Sequence, residues 1–329
     1  MMTDTSDRTY TNYGNKLYLN KLEIPLSDKL DAEKTFEIYE QLRPILPASK
    51  FINSEIVGSV REILGMVDGV ILDGYGIINI GNKLTPEISS FFEEIQERSL
   101  PFVILTNGAS YTSNTYAEKY RRWGLDINTS DIISSRDVLE AHLTAKPQKR
   151  IMCLNSCTTP LKNNADMYKV ARSYKDALRE AEAFAFMGSV GWKEAEQAEL
   201  EAALMENPRP VFVANPDVSA PQKYGFSAEP GYWVTRALKK ADFPVEWYGK
   251  PHNASFQMAI DILQHKTDKP LRKSHIAMIG DSLHTDILGA TAAGLMSVLV
   301  TDYGLMRGLN VSKICQQTSI YPHIIAPRL

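Results

Sequence analysis

Gly69-Val-Ile-Leu-Asp73 is a short aliphatic run that stops on a carboxylate and passes at once into Gly74-Tyr-Gly-Ile-Ile78. A run this brief and unbroken predicts a strand buried on both faces, because a half-buried strand would alternate polar and apolar residues. The same signature recurs along the chain. Phe102-Val-Ile-Leu-Thr106 ends in a hydroxyl, His275-Ile-Ala-Met-Ile-Gly-Asp281 in a carboxylate, and Ser297-Val-Leu-Val-Thr301 in a hydroxyl. Helical spacing fills residues 86–98, 111–123, 254–265 and 283–293. Strands alternating with helices predict an α/β protein with a Rossmann-like parallel sheet covered on both faces.

The middle of the chain repeats this texture separately. Residues 150–154, 183–187 and 211–214 have strand character, and residues 167–182 and 192–206 have helical spacing. They predict a second α/β unit inserted inside the first. The expected division is an N-terminal arm and helix over 1–46, a core over 47–146 plus 244–329, and an insertion over 147–243. Within the N-terminal part, residues 1–15 are polar and read as a mobile arm. Residues 31–43 place Phe36, Ile38, Tyr39 and Leu42 near helical spacing, with Pro44 and Pro47 ending the helix. Residues 53–64 read as a second amphipathic helix.

The 329 residues carry 36 Lys and Arg against 39 Asp and Glu, a net charge of −3, which argues against nucleic acid as a partner. No apolar run is long enough to span a bilayer, and the start of the chain has no apolar core of a signal peptide, so no membrane role is expected. Three cysteines, Cys153, Cys157 and Cys315, make no disulfide framework and suit a reducing cytoplasm. Cys153 and Cys157 lack further soft ligands nearby, so no zinc site is expected.

In open parallel sheets, ligands bind at the carboxyl ends of the strands. That rule brings Asp73, Thr106 and Asp281 to one crevice. Two neighbouring carboxylates repel, and one takes up a proton unless a cation lies between them. Mg²⁺ is the natural candidate, being hard and at home with oxygen ligands and phosphates. Gly249-Lys250-Pro251 adds a cation on a tight turn, suited to neutralising a bound phosphate. Thr106-Asn107-Gly108 offers a hydroxyl and backbone N–H groups just before a helix, a cradle for an anion. His252 and His284 flank these motifs and read as satisfied polar residues, and Trp192 and Trp233 as core.

The order Asp73, Thr106, Lys250, Asp281, with Asp286 five residues later, resembles the haloacid dehalogenase-like (HAD) hydrolase superfamily. The insertion lies where that family carries its C2 caps. Asn215-Pro216-Asp217, Gly249-Lys250-Pro251 and Asp286-Ile-Leu-Gly-Ala290 look like its NagD-like branch, subclass IIA. The resemblance implies a phosphatase acting on a small phosphorylated substrate. Asp73 would be the nucleophile and form an aspartyl-phosphate. Mg²⁺ would be held by Asp73, the Tyr75 carbonyl and Asp281, with Asp286 supporting. Thr106, Asn107, Gly108 and Lys250 would hold the phosphoryl group, and Asn215 and Asp217 would begin a cap loop facing substrate, though an Asx-turn explains that pair equally well. Association through the cap, giving a homodimer, is also implied.

The sequence departs from the family pattern at Tyr75, where the usual residue is an Asp acting as general acid and base. Such an acid typically contributes about 10²–10⁴-fold. A phenol can donate a proton but is a poor base, so slow turnover of alkyl phosphates is expected, with acyl and aryl phosphates suffering less. Two other readings follow. The protein could bind a phosphorylated metabolite with little turnover. Alternatively, Asp73-Gly-Tyr75-Gly76 resembles the 2-haloacid dehalogenases, which attack carbon without a metal.

Overall fold

The computed structural model describes residues 23–145, 150–155, 161, 174–222 and 224–329. The expected arm over residues 1–15 and Cys157 lie outside these residues. In chain order the strands are β1 (Glu55–Ile56), β2 (Gly69–Asp73), β3 (Asn79–Ile80), β4 (Lys83–Leu84), β5 (Phe102–Thr106), β6 (Ile132–Ser134), β7 (Ile151–Leu154) and β8 (Ala183–Phe186). They continue with β9 (Val211–Val213), β10 (Ser219–Pro221), β11 (Phe226–Ala228), β12 (Val245–Trp247), β13 (Ile276–Gly280), β14 (Met296–Val300) and β15 (Ile324–Ala326).

Seven strands form one parallel sheet in the order β1-β15-β14-β13-β2-β5-β6. Every residue of β2 and β13 is buried, which is why both read as continuous aliphatic runs. From β2 the chain winds one way to β5 and β6, then returns to the other side through β13, β14 and β15. The crevice at β2 is therefore a topological switch point, where ligands bind in open α/β sheets. Register pairs Leu72 with Ile279 and Asp73 with Leu105, so the carboxyl ends of β13, β2 and β5 lie level.

The second parallel sheet runs β12-β9-β8-β7. Its last strand, Val245–Trp247, lies past the boundary near residue 243 drawn from the sequence. Alternation along β8 is legible in its packing. Phe184 and Phe186 join a cluster with Leu200, Trp233 and Leu238, while Ala183 and Ala185 face a second cluster containing Val103, Leu105 and Phe256 of the first unit. Two antiparallel hairpins complete the fold: β3–β4 just after Asp73, and β10–β11 in the inserted unit.

The helix Ala32–Leu42 forms as expected, with the Asp31 side chain accepting from the Lys34 N–H at 2.8 Å. Its position could not be read from its pattern. Ile38, Tyr39 and Leu42 pack into the inserted unit's cluster, while Phe36 packs with Leu283, Ile287 and Met306 of the first unit. The helix thus straddles both.

The expected helix over residues 53–64 does not form. Glu55–Ile56 instead pairs with Ile324–Ile325 as the sheet's edge strand. A single 3₁₀ turn, Val60–Ile63, follows, closed by a Ser59/Glu62 capping box. Ser59 resets the chain as an N-cap, and pairing with β15 overrides the helical periodicity. Among the described residues, no helix is long and apolar enough to cross a membrane.

Candidate active site

A cavity of about 700 Å³ opens over the carboxyl ends of the central strands. Asp73, Tyr75, Thr106, Asn107, Gly108, Asn215, Asp217, Lys250 and Asp281 all line it. Asp286 is fully buried beneath them. Carboxylate oxygens of Asp73, Asp281 and Asp286 lie within 4.8 Å of one another.

Each of these acids is fixed by its neighbours. The Gly74 N–H donates to Asp73 Oδ1 at 2.7 Å, and Lys250 Nζ donates to the same oxygen. Asp73 Oδ2 has no hydrogen-bond partner among the described residues, so it is the oxygen open to the cavity. Asp281 Oδ2 accepts from the Leu305 N–H at 2.6 Å. Gly304, at φ +60°, lets that loop close, because a Cβ there would run into the Asp281 carboxyl. Asp286 Oδ2 accepts from the N–H groups of Asp281 and Ser282, both at 3.1 Å. Its Oδ1 accepts no well-formed hydrogen bond but lies 2.7 Å from Lys250 Nζ.

Three buried carboxylates against one ammonium leave negative charge uncompensated. Burial pushes the Asp73 carboxyl well above its usual range, with the Lys250 charge pulling against it. Burial, then the Asp286 charge, pushes Asp281 up to about 7. Burial also works against the Lys250 ammonium, but Asp286 and Asp73 overcome it and hold its pKa above the ordinary lysine value. A hard divalent cation fits this all-oxygen set, which keeps free oxygens and an excess of negative charge. The Tyr75 carbonyl accepts none of the turn's backbone hydrogen bonds, which run between Gly74, Gly76, Ile78 and Asn79.

The loop after β5 is braced rather than loose. Asn107 Oδ1 accepts from the Lys250 N–H at 2.7 Å and from Ser135 Oγ at 3.3 Å. Asn107 Nδ2 donates to Asp217 Oδ1 at 2.8 Å and to the Lys250 carbonyl at 3.1 Å. The side chain of Asn107 therefore fixes Lys250, leaving only its backbone for an anion. The Gly108 N–H donates to Thr106 Oγ1 at 3.2 Å, so the Thr106 hydroxyl proton stays available to a ligand.

The Tyr75 phenol, read from the sequence as able to donate a proton but a poor substitute for the usual carboxylate, is engaged elsewhere. The hydroxyl donates to the Pro221 carbonyl at 2.5 Å and accepts from the Gly81 N–H at 3.2 Å. It ties the loop after Asp73 to the β10–β11 hairpin of the inserted unit. His284 is satisfied at Nε2, 2.7 Å from Glu40 Oε1, but among the described residues Nδ1 has no hydrogen-bond partner. His252 Nε2 is buried without a hydrogen-bond partner among the described residues, and burial pushes that imidazole down to about 4.

Tyr39 and Glu229 are among the cavity residues that escaped the sequence reading. Tyr39 comes from the straddling helix, where its spacing marked it only as apolar face. Its hydroxyl accepts from the Val218 N–H at 3.1 Å, and its ring stacks on His284 with centroids 4.8 Å apart. Glu229 precedes Pro230-Gly231 at a helix start, where an acid looks like ordinary capping. Ser227 Oγ donates to it at 2.6 Å, and burial pushes its carboxyl up to about 7.

Comparison with known proteins converges on one family. A profile described as haloacid dehalogenase-like hydrolase matches residues 70–170, and a second, HAD-hydrolase-like, matches residues 247–326. The chain is similar to the ribonucleotide monophosphatase NagD of Escherichia coli K12, 24% identical over 234 residues, covering 71% of this chain and 87% of that protein. It is 21% identical over 240 residues to an acid sugar phosphatase of Staphylococcus epidermidis, covering 70% and 85%. A structure described as a possible sugar phosphatase of the HAD superfamily from Cytophaga hutchinsonii superposes with a TM-score of 0.70 at 24% identity, covering 84% of this chain and 98% of that one. The p-nitrophenyl phosphatase from Archaeoglobus fulgidus superposes at 0.61 with 18% identity, covering 80% and 96%. At these identities the superpositions speak to the fold.

Proposed function

The chain belongs to the haloacid dehalogenase-like hydrolases, in their NagD-like branch, and is a phosphatase of that kind; from this premise we propose that it hydrolyses a small phosphorylated metabolite through an aspartyl-phosphate on Asp73. The observation that carries this reading is the convergence of Asp73, Asp281, Asp286 and Lys250 over the level ends of the central strands, beside Thr106. Relatives named as ribonucleotide and acid sugar phosphatases support a phosphomonoester substrate.

Asp73 Oδ2, the oxygen without a partner, attacks phosphorus. The bond to the leaving oxygen breaks, and that oxygen takes a proton. Water then opens the acyl phosphate, freeing Asp73 and inorganic phosphate. Lys250 and Thr106 neutralise and orient the phosphoryl oxygens, and the Lys250 charge pulls against the burial that raises the Asp73 carboxyl. Asp73, Asp281 and Asp286, with the Tyr75 carbonyl, would hold Mg²⁺, which supplies positive charge opposite the transferring group. The inserted unit acts as the cap, walling the cavity from above with Asn215 and Asp217 and excluding water.

Asp73→Asn is expected to reduce phosphate release from p-nitrophenyl phosphate to background, and EDTA to abolish it reversibly. Full activity in either condition would refute the reading. One observation favours a weaker variant. With the Tyr75 phenol spent on Pro221 and Gly81, the protein could bind its phosphate ligand with little turnover, which a broad phosphate panel would reveal as binding without release. The clustering of the Asp281 and Asp286 carboxylates with Asp73, which suits a cation, speaks against a metal-free dehalogenase. Halide release from a 2-haloacid in EDTA is the outcome that would favour it.

A further inference from the structure

With Tyr75 tied to the hairpin, some other group must supply the proton that a poor leaving oxygen requires. Among the described residues, four carboxyls line the cavity: Asp73, Asp217, Glu229 and Asp281. Asp73 and Asp281 belong to the acid cluster. Both oxygens of Glu229 are engaged, Oε1 by Ser227 at 2.6 Å and Oε2 by Ser189 at 3.1 Å and Asn215 at 3.3 Å. Asp217 differs. Its Oδ1 accepts from Asn107, next to Thr106, at 2.8 Å, and its Oδ2 has no hydrogen-bond partner among the described residues. Its backbone is held on both sides, the N–H donating to Asn215 Oδ1 at 3.0 Å and the carbonyl accepting from the Gly231 N–H at 2.9 Å.

We propose that Asp217, reaching from the inserted unit onto the phosphate loop, is the general acid and base of the reaction, in place of the carboxylate that position 75 lacks. The inference rests on the phosphatase reading above. In the first half, the bond from Asp73 Oδ2 to phosphorus forms as the bond to the leaving oxygen breaks. The proton on Asp217 Oδ2 passes to that oxygen, which departs as an alcohol. In the second half, water gives a proton to the Asp217 carboxylate as its oxygen bonds to phosphorus and the Asp73–phosphorus bond breaks. Phosphate leaves, and Asp217 is protonated again, so the cycle closes without another reactant.

The surroundings suit both states. Burial pushes the Asp217 carboxyl up to about 6, while the Asn107 hydrogen bond and the Lys250 charge draw it down and Asp286 pushes it up. Tyr39, Glu229 and Asp281 are the other titratable groups that feel its charge. A carboxyl tuned toward neutrality can both give and take a proton. As an acid it gives the rate an alkaline limb, falling as pH rises through about 6.

The test compares wild type with Asp217→Asn, in Mg²⁺, on p-nitrophenyl phosphate, whose leaving group needs little help, and on glycerol 2-phosphate, whose leaving group needs a proton. The expected result is a loss of about 10²–10⁴-fold in kcat for the glycerol ester and a far smaller loss for the aryl ester, which also reports that the variant is folded. The alkaline limb of the glycerol ester's pH profile disappears, and Tyr75→Asp in the same variant restores part of the lost rate. Equal losses on both esters, or a retained limb, would overturn the role of Asp217 and leave the phosphatase reading intact. Absence of turnover of either ester by the wild type would overturn both.

Discussion

Gly249 shows how narrowly the site is set. It adopts φ +94°, and a Cβ there would strike Ser135 Oγ and Asn107 Oδ1, the same Asn107 oxygen that holds the Lys250 N–H. Only a residue without a side chain lets the turn press Lys250 into the carboxylates. Gly249→Ala is therefore expected to lose at least about 1–3 kcal/mol of stability to strain. It should lose most of its phosphatase activity as well, because Lys250 is displaced. Urea unfolding and p-nitrophenyl phosphate turnover measure the two effects. At this scale the sequence was informative wherever chemistry demands a residue type at a strand end. Asp73, Thr106 and Asp281 line one cavity as the strand-end rule requires, and Lys250 joins them from its turn. What residue types do not carry is direction. Nothing in Gly74-Tyr75-Gly76 says that the phenol turns to Pro221, and nothing in Ala228-Glu229-Pro230 says that the acid faces the cavity.

Among the elements, the strands that were legible are those buried on both faces, because sustained burial writes itself as an unbroken aliphatic run. Ile132–Ser134 and Ile324–Ala326 are too short for that signal, and Glu55–Ile56 is an exposed edge defined only by its partner. The helix Ala32–Leu42 was legible as a helix but not as a bridge. Phe36, 8% exposed, packs against Leu283, Ile287 and Met306, while its neighbours on the same helix pack into the inserted unit. Phe36→Ala is expected to cost about 3–5 kcal/mol, read from urea unfolding, as for other buried aromatics truncated to a methyl. A shift within a few tenths of a kcal/mol would mean that the helix is not docked on the first unit.

Over the whole molecule, buried acids set the response to pH. Glu229 titrates near 4.3 when the chain is unfolded and about 7 when folded, burial being the main cause. A carboxyl raised in this way favours the folded state while protonated. Its contribution is complete below about pH 4 and is lost as pH rises through about 7. Glu229→Gln should therefore flatten the decline in thermal midpoint between pH 5 and pH 8. A decline as steep as that of the wild type would show that Glu229 is not the group responsible. The straddling helix has a consequence at this scale too. Thr35 Oγ1 meets Ser219 Oγ at 2.7 Å on the inserted unit, and Glu40 meets His284 at 2.7 Å on the other. A helix anchored on both bodies opposes a swing between them. If that swing is held back, molecules would pass through a mouth of constant bore, and its width, rather than the sweep of a moving jaw, would set which phosphates enter.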